Sequence, residues 1–150
     1  MDLILWRHAE AEDGIPDTTR KLTKKGLSQA QHMADWLRSK LPEKVQIIVS
    51  PTTRTQQTAK ALQAEFVTEK SIGPGASVDA ILVAANWPVA ETAILIVGHQ
   101  PTIGEVVSYL VPVIPNGLRV KKGSVWWLRS QLQGDTVTVK LHRVIYPEDL

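Results

Sequence analysis

Short apolar segments that alternate with amphipathic segments are the feature that most restricts the fold of this sequence. The apolar segments are rich in β-branched residues and lack helical spacing, so each predicts a buried strand. They cover residues 3–6, 45–49, 94–97 and 125–128. Helical patterns lie between or beside them, over residues 22–41, 50–66, 78–86 and 101–111. Such alternation predicts an α/β domain, a three-layer αβα sandwich with a mostly parallel sheet.

The last part of the chain has a different pattern, in which apolar and polar side chains alternate over residues 136–144. Gly134 and Asp135 supply a turn directly before it, so the last two strands are expected to form an antiparallel C-terminal hairpin at the edge of the sheet. Trp126 and Trp127 are neighbours on the first of these strands and must point to opposite faces. We expect one of them in the core and the other partly exposed.

Hydroxyl residues and prolines mark the limits of the predicted helices. Ser50 precedes Pro51, so we expect Ser50 to cap the second helix and Pro51 to occupy its first position. Pro101 opens the fourth helix, which should end by Pro112. Residues 71–79 contain a Gly-Pro-Gly sequence without the lysine and hydroxyl of a phosphate-binding loop, and we expect them to form a loop over one end of the sheet.

Composition excludes several kinds of chemistry. The chain has 150 residues and no cysteine, which rules out disulfides, thiolate catalysis and Cys-based zinc sites. A cysteine-free chain is typical of a reducing compartment, and the N-terminal segment does not resemble a signal peptide. No apolar run approaches the roughly 20 residues of a membrane span. We therefore expect one cytoplasmic domain over residues 1–150 that does not bind membranes.

The charges are nearly balanced, with 17 Lys and Arg against 15 Asp and Glu. Two basic pairs, Lys24-Lys25 and Lys121-Lys122, have no aromatic residues between them. This pattern indicates a solvated surface with a local basic rim, and we expect no binding of nucleic acid.

Basic residues follow three of the predicted strands. Arg7 and His8 follow the first, Arg54 lies in the first turn of the helix after the second, and His99 and Gln100 follow the third. Because the carboxyl ends of parallel strands lie along one edge of a sheet, these side chains are expected to converge on a single pocket. Guanidinium groups hold phosphate oxygens in pairs, and a neutral imidazole can attack phosphorus. The pattern indicates phosphoryl transfer without a metal ion or other cofactor.

Four segments resemble motifs of the histidine phosphatase superfamily, whose members share the phosphoglycerate mutase-like fold. In chain order they are RHAEAE, RKLTKKGLSQAQ, SPTTRTQQTA and LIVGHQP. The third is the most specific of the four, because it matches the family pattern Ser-Pro-x-x-Arg-x-x-Gln-Thr-Ala. The resemblance extends from the first residue to about residue 107, whereas the remaining residues are similar only in their strand character.

The resemblance implies a role for each matching residue. His8 is the nucleophile that becomes phosphohistidine, and Arg7 and Arg54 clamp the phosphoryl group. His99 completes the pocket, and Arg20 matches a position at the rim with a secondary role in binding substrate.

Other residues beside these motifs are given lesser roles. Gln100, directly after the second histidine, is a further candidate for contact with substrate. Ser50 is expected to cap a helix, and Gln57 and Thr58 to secure helix packing, rather than to touch substrate.

The sequence departs from the family pattern in two places. Ala9 replaces the glycine that usually follows the nucleophile. The glutamate that protonates the leaving oxygen in larger members has no clear match, which leaves four alternatives for the general acid: Asp79, Glu10, Glu12 and Asp17. A phosphohistidine substrate has less need of such an acid, since N–P bonds break readily once the nitrogen is protonated.

The short chain leaves little room for a lid over a small substrate. In this it resembles the compact SixA-type phosphohistidine phosphatases, which implies a hydrolase acting on phosphohistidine of a signalling or phosphotransfer protein. Two alternatives stay open: an enzyme for small phosphate esters, of which a mutase is the less favoured form, and a phosphoprotein-binding module without turnover.

Overall fold

A six-stranded mixed sheet forms the centre of the computed structural model, which describes all residues from 1 to 150. The strands are β1 (Asp2–Arg7), β2 (Val45–Val49), β3 (Val67–Thr68), β4 (Ala93–Gly98), β5 (Val125–Gln133) and β6 (Thr136–Ile145). The helices are α1 (Lys24–Lys40), α2 (Thr53–Lys60), α3 (Val78–Ala84) and α4 (Thr102–Leu110). Three single turns of 3-10 helix cover Asp17–Thr19, Lys70–Ile72 and Pro147–Asp149.

The strands follow the order β3-β2-β4-β1-β5-β6 across the sheet. Strands β1 to β4 are parallel, whereas β5 runs antiparallel to both β1 and β6. The predicted αβα sandwich with a C-terminal hairpin is therefore confirmed. Gly134, at the turn of the hairpin, has a φ of +64°, a backbone conformation that favours glycine. The parallel order brings the carboxyl ends of β1, β2 and β4 to one edge.

Helices cover both faces of the sheet. On one face, Leu3 and Leu5 pack with side chains of α3 and α4, and on the other Ile4 and Trp6 pack with α1 and α2. All four of these β1 side chains are fully buried, and each such burial stabilises the fold by roughly 1.5–3 kcal/mol. A strand covered on both sides reads as one continuous apolar run, which is why β1 was recognisable in the sequence.

Trp126 and Trp127 correct one expectation about the hairpin. They point to opposite faces, as predicted, but both are buried, with exposed fractions of 7% and 4%. The first joins the core beneath α3 and α4, and the second joins the core beneath α1 and α2. Trp36 of α1 packs edge-on against Trp127, with ring centroids 6.3 Å apart. Both residues are covered because the helical layers extend over the first part of β5.

The second helix is shorter than predicted and begins later. Its N-cap is Thr52, whose hydroxyl accepts a hydrogen bond from the Thr55 amide, so the expectation that Ser50 is the cap is wrong. The helix ends at Lys60, and Gln63 soon after it has a left-handed φ of 53°. Strand β3, two residues long, follows; a segment this short shows no periodicity in a sequence. No helix is both long and apolar enough to cross a membrane.

Candidate active site

Three strand ends bring the predicted catalytic residues together. His8 directly follows β1 and His99 directly follows β4, and the His8 amide donates to the carbonyl of Gly98 at 3.1 Å. Arg54 lies one residue into α2, which begins just beyond β2. A cavity of about 310 Å³ opens at this edge of the sheet. We call it the active-site cavity; all six predicted site residues line it: Arg7, His8, Arg20, Arg54, His99 and Gln100.

The ring of His8 is held in one tautomer. Its Nδ1 lies 2.7 Å from the carbonyl oxygen of Ala9, and because a carbonyl only accepts, Nδ1 carries the proton. Burial lowers the pKa of His8 to about 4; the bond to Ala9 opposes this shift, whereas the charges of Arg54 and Arg7 add to it. The ring is therefore neutral near pH 7, with the lone pair on Nε2.

The ring of His99 lies next to that of His8, with centroids 5.4 Å apart and planes inclined by 56°. Its Nε2 is 2.6 Å from the hydroxyl oxygen of Ser50, and its Nδ1 is buried without a hydrogen-bond partner. Burial, followed by the proximity of His8 and Arg54, lowers the pKa of His99 to about 3. This second ring is also neutral near pH 7.

Two arginines are held by backbone carbonyls at the cavity. Arg7 donates from Nη1 to the carbonyl of Val120 at 2.8 Å. Arg54, which is 4% exposed, donates from Nη1 to the carbonyl of Asp17 at 2.9 Å and from Nη2 to its carboxylate at 3.1 Å. Burial and the neighbouring Arg54 lower the pKa of Arg7, yet a guanidinium stays protonated at neutral pH.

Buried polar atoms without partners are concentrated at this site. Six such side-chain atoms occur in the protein, and three of them are Arg7 Nε, Arg54 Nε and His99 Nδ1. Each unsatisfied buried donor costs about 1–3 kcal/mol. The two arginine Nε atoms are donors, and an oxyanion in the cavity would offer them acceptors, so the arrangement is suited to binding phosphate.

Comparison with known proteins settles the family. The sequence profile of the histidine phosphatase superfamily (branch 1) matches residues 3–75, which hold three of the four motifs. Phosphohistidine phosphatase SixA of Escherichia coli (strain K12) is 32% identical over 123 residues, 75% of each chain. The chain belongs to the histidine phosphatase superfamily.

Solved structures agree with this assignment. A SixA structure from Nakamurella multipartitia has a TM-score of 0.81 and 26% identity, over 97% of this chain and 95% of that one. The structure of the protein histidine phosphatase SixA complexed with tungstate also has a TM-score of 0.81, with 22% identity over 99% of both chains. This histidine phosphatase therefore has the SixA fold along nearly its whole length.

Residues of α2 attach the segment after β1 to the rest of this histidine phosphatase. The Thr58 hydroxyl accepts from the Ala9 amide at 3.1 Å and donates to the carbonyl of Arg54 at 2.8 Å. The Gln57 side chain accepts from the Leu22 amide at 2.7 Å. Both side chains thus secure packing, as predicted. The methyl group of Ala9, where the family usually has glycine, is buried in an apolar cluster with Leu22.

Ser50 has a different place from the one expected. Its hydroxyl, rather than capping α2, lies 2.6 Å from His99 Nε2. The sequence held a signal for this contact, because Ser50 directly follows a buried strand just as His8 and His99 do.

Arg20 and Gln100 line the cavity but are engaged with neighbouring protein groups. Arg20 donates from Nε to the Asp17 carboxylate at 3.1 Å and from Nη1 to the carbonyl of Glu12 at 3.0 Å. Gln100 donates to the carbonyl of Leu118 at 2.9 Å and accepts from the Gly104 amide at 2.7 Å. Both polar atoms of Gln100 therefore hold protein elements together, and its contact with substrate stays a prediction.

Three of the four alternatives for the general acid lie away from the reacting groups. Asp79 lines a separate depression beside α3. The Glu10 carboxylate accepts a hydrogen bond from the hydroxyl of Thr23 at 2.8 Å. Glu12 lies on the exposed loop before Asp17–Thr19, where it lines a third depression.

Two carboxylates adjoin the site groups: Asp17, which bonds to Arg54, and Asp13. Burial opposes ionisation of Asp17, but hydrogen bonds from Arg20 and Arg54 outweigh it and lower the pKa of Asp17 below its usual value. A carboxylate held ionised in this way is an ion-pair partner rather than a proton donor. Asp13 lines the active-site cavity and was not anticipated, because it follows no strand and begins no helix.

Proposed function

We propose that this protein is a phosphatase that hydrolyses phosphohistidine on another protein through a phosphorylated His8. The observation that carries the proposal is the neutral His8, with its Nδ1 proton held by a carbonyl, beside two arginines whose Nε atoms are buried and unpaired. The activity named for the E. coli relative supports it. We further propose that residues 1–150 act as one domain, and that the cysteine-free chain works in the cytoplasm.

The first step transfers the phosphoryl group to His8. Arg7 and Arg54 hold the phosphoryl oxygens, and the lone pair of His8 Nε2 forms a bond to phosphorus on the side opposite the leaving nitrogen. The resulting phosphoimidazolium keeps its Nδ1 proton, which the carbonyl of Ala9 stabilises. His99 donates from Nδ1 to a phosphoryl oxygen, a tautomer that is favoured when the Ser50 hydroxyl donates to Nε2.

The second step regenerates the enzyme. A water molecule attacks the phosphorus of phosphorylated His8, the N–P bond breaks, and its electron pair returns to Nε2. Both protons of the water remain on the product, which leaves as dihydrogen phosphate, and His8 returns to its neutral form with a proton on Nδ1. No proton has to be added to His8 during the cycle, which agrees with its lowered pKa.

The leaving group distinguishes the candidate substrates. Once the far ring nitrogen of substrate phosphohistidine is protonated, the imidazole leaves as a neutral group and needs no further acid. An alkoxide leaving from a phosphate ester needs a proton, and Asp13 is the carboxylate that lines the cavity. A phosphatase for small esters is therefore the second candidate function, and the position of Asp13 favours it.

The experiment follows phosphate release from a phosphohistidine peptide and from 4-nitrophenyl phosphate, with a chelator present, together with acid-labile phosphate on the enzyme. We expect faster release from the peptide and a labelled enzyme, with the chelator making no difference. His8→Asn should abolish both signals, whereas His142→Asn, at an exposed position on β6, is the matched control and should keep both.

Three results would contradict the proposal. Release from 4-nitrophenyl phosphate alone would favour an ester phosphatase, and phosphopeptide binding without release from either compound would favour a binding module. Full activity of His8→Asn would exclude the phosphohistidine intermediate.

A further inference from the structure

A larger cavity, of about 690 Å³, adjoins the active-site cavity and shares Arg7 and Lys122 with it. One wall is the N-terminal half of α1, which contributes Lys25 and His32, and the other is the segment before β5, which contributes Arg119. We call this second cavity the basic groove. Nothing in the proposed chemistry at His8 uses its residues other than Arg7.

The basic groove carries positive charge that the protein does not neutralise. Lys25, Arg119 and Lys122 are exposed, and none has a carboxylate oxygen within 4.0 Å. Two glutamates also line the groove. Glu148 pairs with Lys121 at 3.7 Å.

The second glutamate, Glu10, is engaged at the start of α1, where its carboxylate accepts from the hydroxyl of Thr23. Three cations of the groove therefore remain for an external anion.

The rest of the lining narrows the choice of anion. No Phe, Tyr or Trp lines the groove, and the imidazole of His32 is its only aromatic ring, so it lacks the set of aromatic side chains on which successive nucleobases stack. Its only apolar side chains are Val120 and Pro147, and Ser28 and Gln29 add polar groups. A flexible acidic polypeptide fits this chemistry, because its carboxylates can pair with separated cations and its backbone can bond to the polar groups.

The groove is rigidly attached to the nucleophile. Arg7 bonds to the carbonyl of Val120, and the amide of Gly123 bonds to the carbonyl of His8 at 3.0 Å. On the opposite wall, the Gln29 side chain accepts from the amide of Glu10 at 3.0 Å. A segment bound in the groove therefore lies at a constant offset from His8.

We infer that the basic groove binds acidic side chains near the phosphohistidine of the partner protein and so selects phosphoproteins with an acidic surface at that position. The inference rests on the proposed function. It assigns to Lys25 and Arg119 a part in choosing the substrate, separate from the reaction at His8.

The experiment compares two phosphohistidine peptides of equal length, one with Asp and Glu around the phosphohistidine and one with Asn and Gln in their place. At low salt we expect kcat/KM for the acidic peptide to exceed that for the neutral peptide by about tenfold. In the double variant Lys25→Gln/Arg119→Gln, the ratio of the two kcat/KM values should be close to one. In the wild-type protein, the same ratio should fall close to one at high salt.

The matched control is Lys44→Gln/Lys140→Gln, which removes two exposed lysines outside the groove and should leave the ratio unchanged. Turnover of both peptides with equal kcat/KM in the wild-type protein would overturn the inference while leaving the proposed function intact. A ratio lowered as much by the control variant would also overturn it, since the effect would then be one of net charge.

A binding measurement separates failure of the inference from failure of the proposed function. Fluorescence anisotropy of a labelled acidic peptide without phosphate should show a Kd about fivefold weaker for the groove variant, whether or not phosphohistidine is hydrolysed. Equal Kd values would overturn the inference. The inference would also be overturned if the groove variant lost more kcat/KM on 1,4-butanediol bisphosphate than on the acidic phosphopeptide. The groove would then bind a second phosphate group.

Discussion

The active-site cavity and the basic groove share Arg7 and Lys122 but use positive charge in opposite ways. In the cavity, Arg54 is almost wholly buried and bonded to Asp17, while its Nε remains unpaired. In the groove, Lys25 and Arg119 are exposed to water. Buried charges interact strongly over short distances, whereas exposed charges are screened and contribute mainly to association. We therefore propose that charge of one sign serves phosphoryl transfer in one region and partner choice in the other.

The largest effect should come from Arg54→Lys, which keeps the buried charge but removes the forked donor. We expect kcat to fall by about 10²–10³-fold, since an ammonium cannot bond two phosphoryl oxygens in the same plane. Steady-state kinetics with the phosphohistidine peptide would measure this. Arg38→Lys is the matched control, on the exposed side of α1 beside Asp35, and should keep kcat. A fall in kcat of less than threefold for Arg54→Lys would contradict the proposed difference between the active-site cavity and the basic groove.

The next effect concerns stability in acid and depends on the two buried histidines. Their pKa values in the folded protein, about 4 for His8 and about 3 for His99, lie below the ordinary 6.5. Between pH 6.5 and 4 the unfolded chain therefore binds more protons. The free energy of unfolding should fall as the pH falls through this window, by up to about 1.4 kcal/mol per pH unit for each histidine.

Urea denaturation at several pH values would measure that slope. His99→Asn removes one of the two groups and should lower the slope by about half. His32→Asn, at an exposed position in the basic groove, should leave it unchanged. Equal slopes for all three proteins would mean that the buried histidines do not control stability in acid.

A smaller effect is expected from Ser50, which acts on the reaction through His99. Ser50→Ala should lower kcat by about tenfold, or about 1.4 kcal/mol of transition-state stabilisation, by removing one hydrogen bond. Nitrogen NMR of the His99 ring should show a mixture of tautomers in Ser50→Ala and recovery in Ser50→Thr. An unchanged ring spectrum in Ser50→Ala would mean that the hydroxyl does not position His99.

The smallest effect is the change in stability from Lys25→Gln. An exposed side chain without a partner should change the free energy of unfolding by less than about 0.5 kcal/mol, which urea denaturation at pH 7 would measure. A change above about 1 kcal/mol would show that Lys25 stabilises the fold. The exposed charge of the groove would then no longer differ in this respect from the buried charge of the active-site cavity.

Strand β2 and helix α2 show where sequence reasoning succeeds and where it fails. The limits of β2, Val45–Val49, match the predicted 45–49, because the apolar run ends at Val49, where the strand also ends. Helix α2 was predicted to extend six residues beyond its observed end at Lys60, because residues 61–66 keep a helical pattern although Gln63 adopts a left-handed φ. Local pattern indicates the type of an element, but contacts with the rest of the protein decide where the element stops.

The sequence by itself determined the αβα architecture and the convergence of His8, His99 and Arg54. Burial on both faces requires apolar runs, and parallel strands bring the residues after them to one edge, so both features follow from local pattern and topology. Only the tertiary structure decided the contact of Ser50 with His99 and the placement of Lys25 and Arg119 on opposite walls of one groove. These features bring together side chains far apart in the chain, and their geometry depends on how helices and loops pack, which no local pattern records.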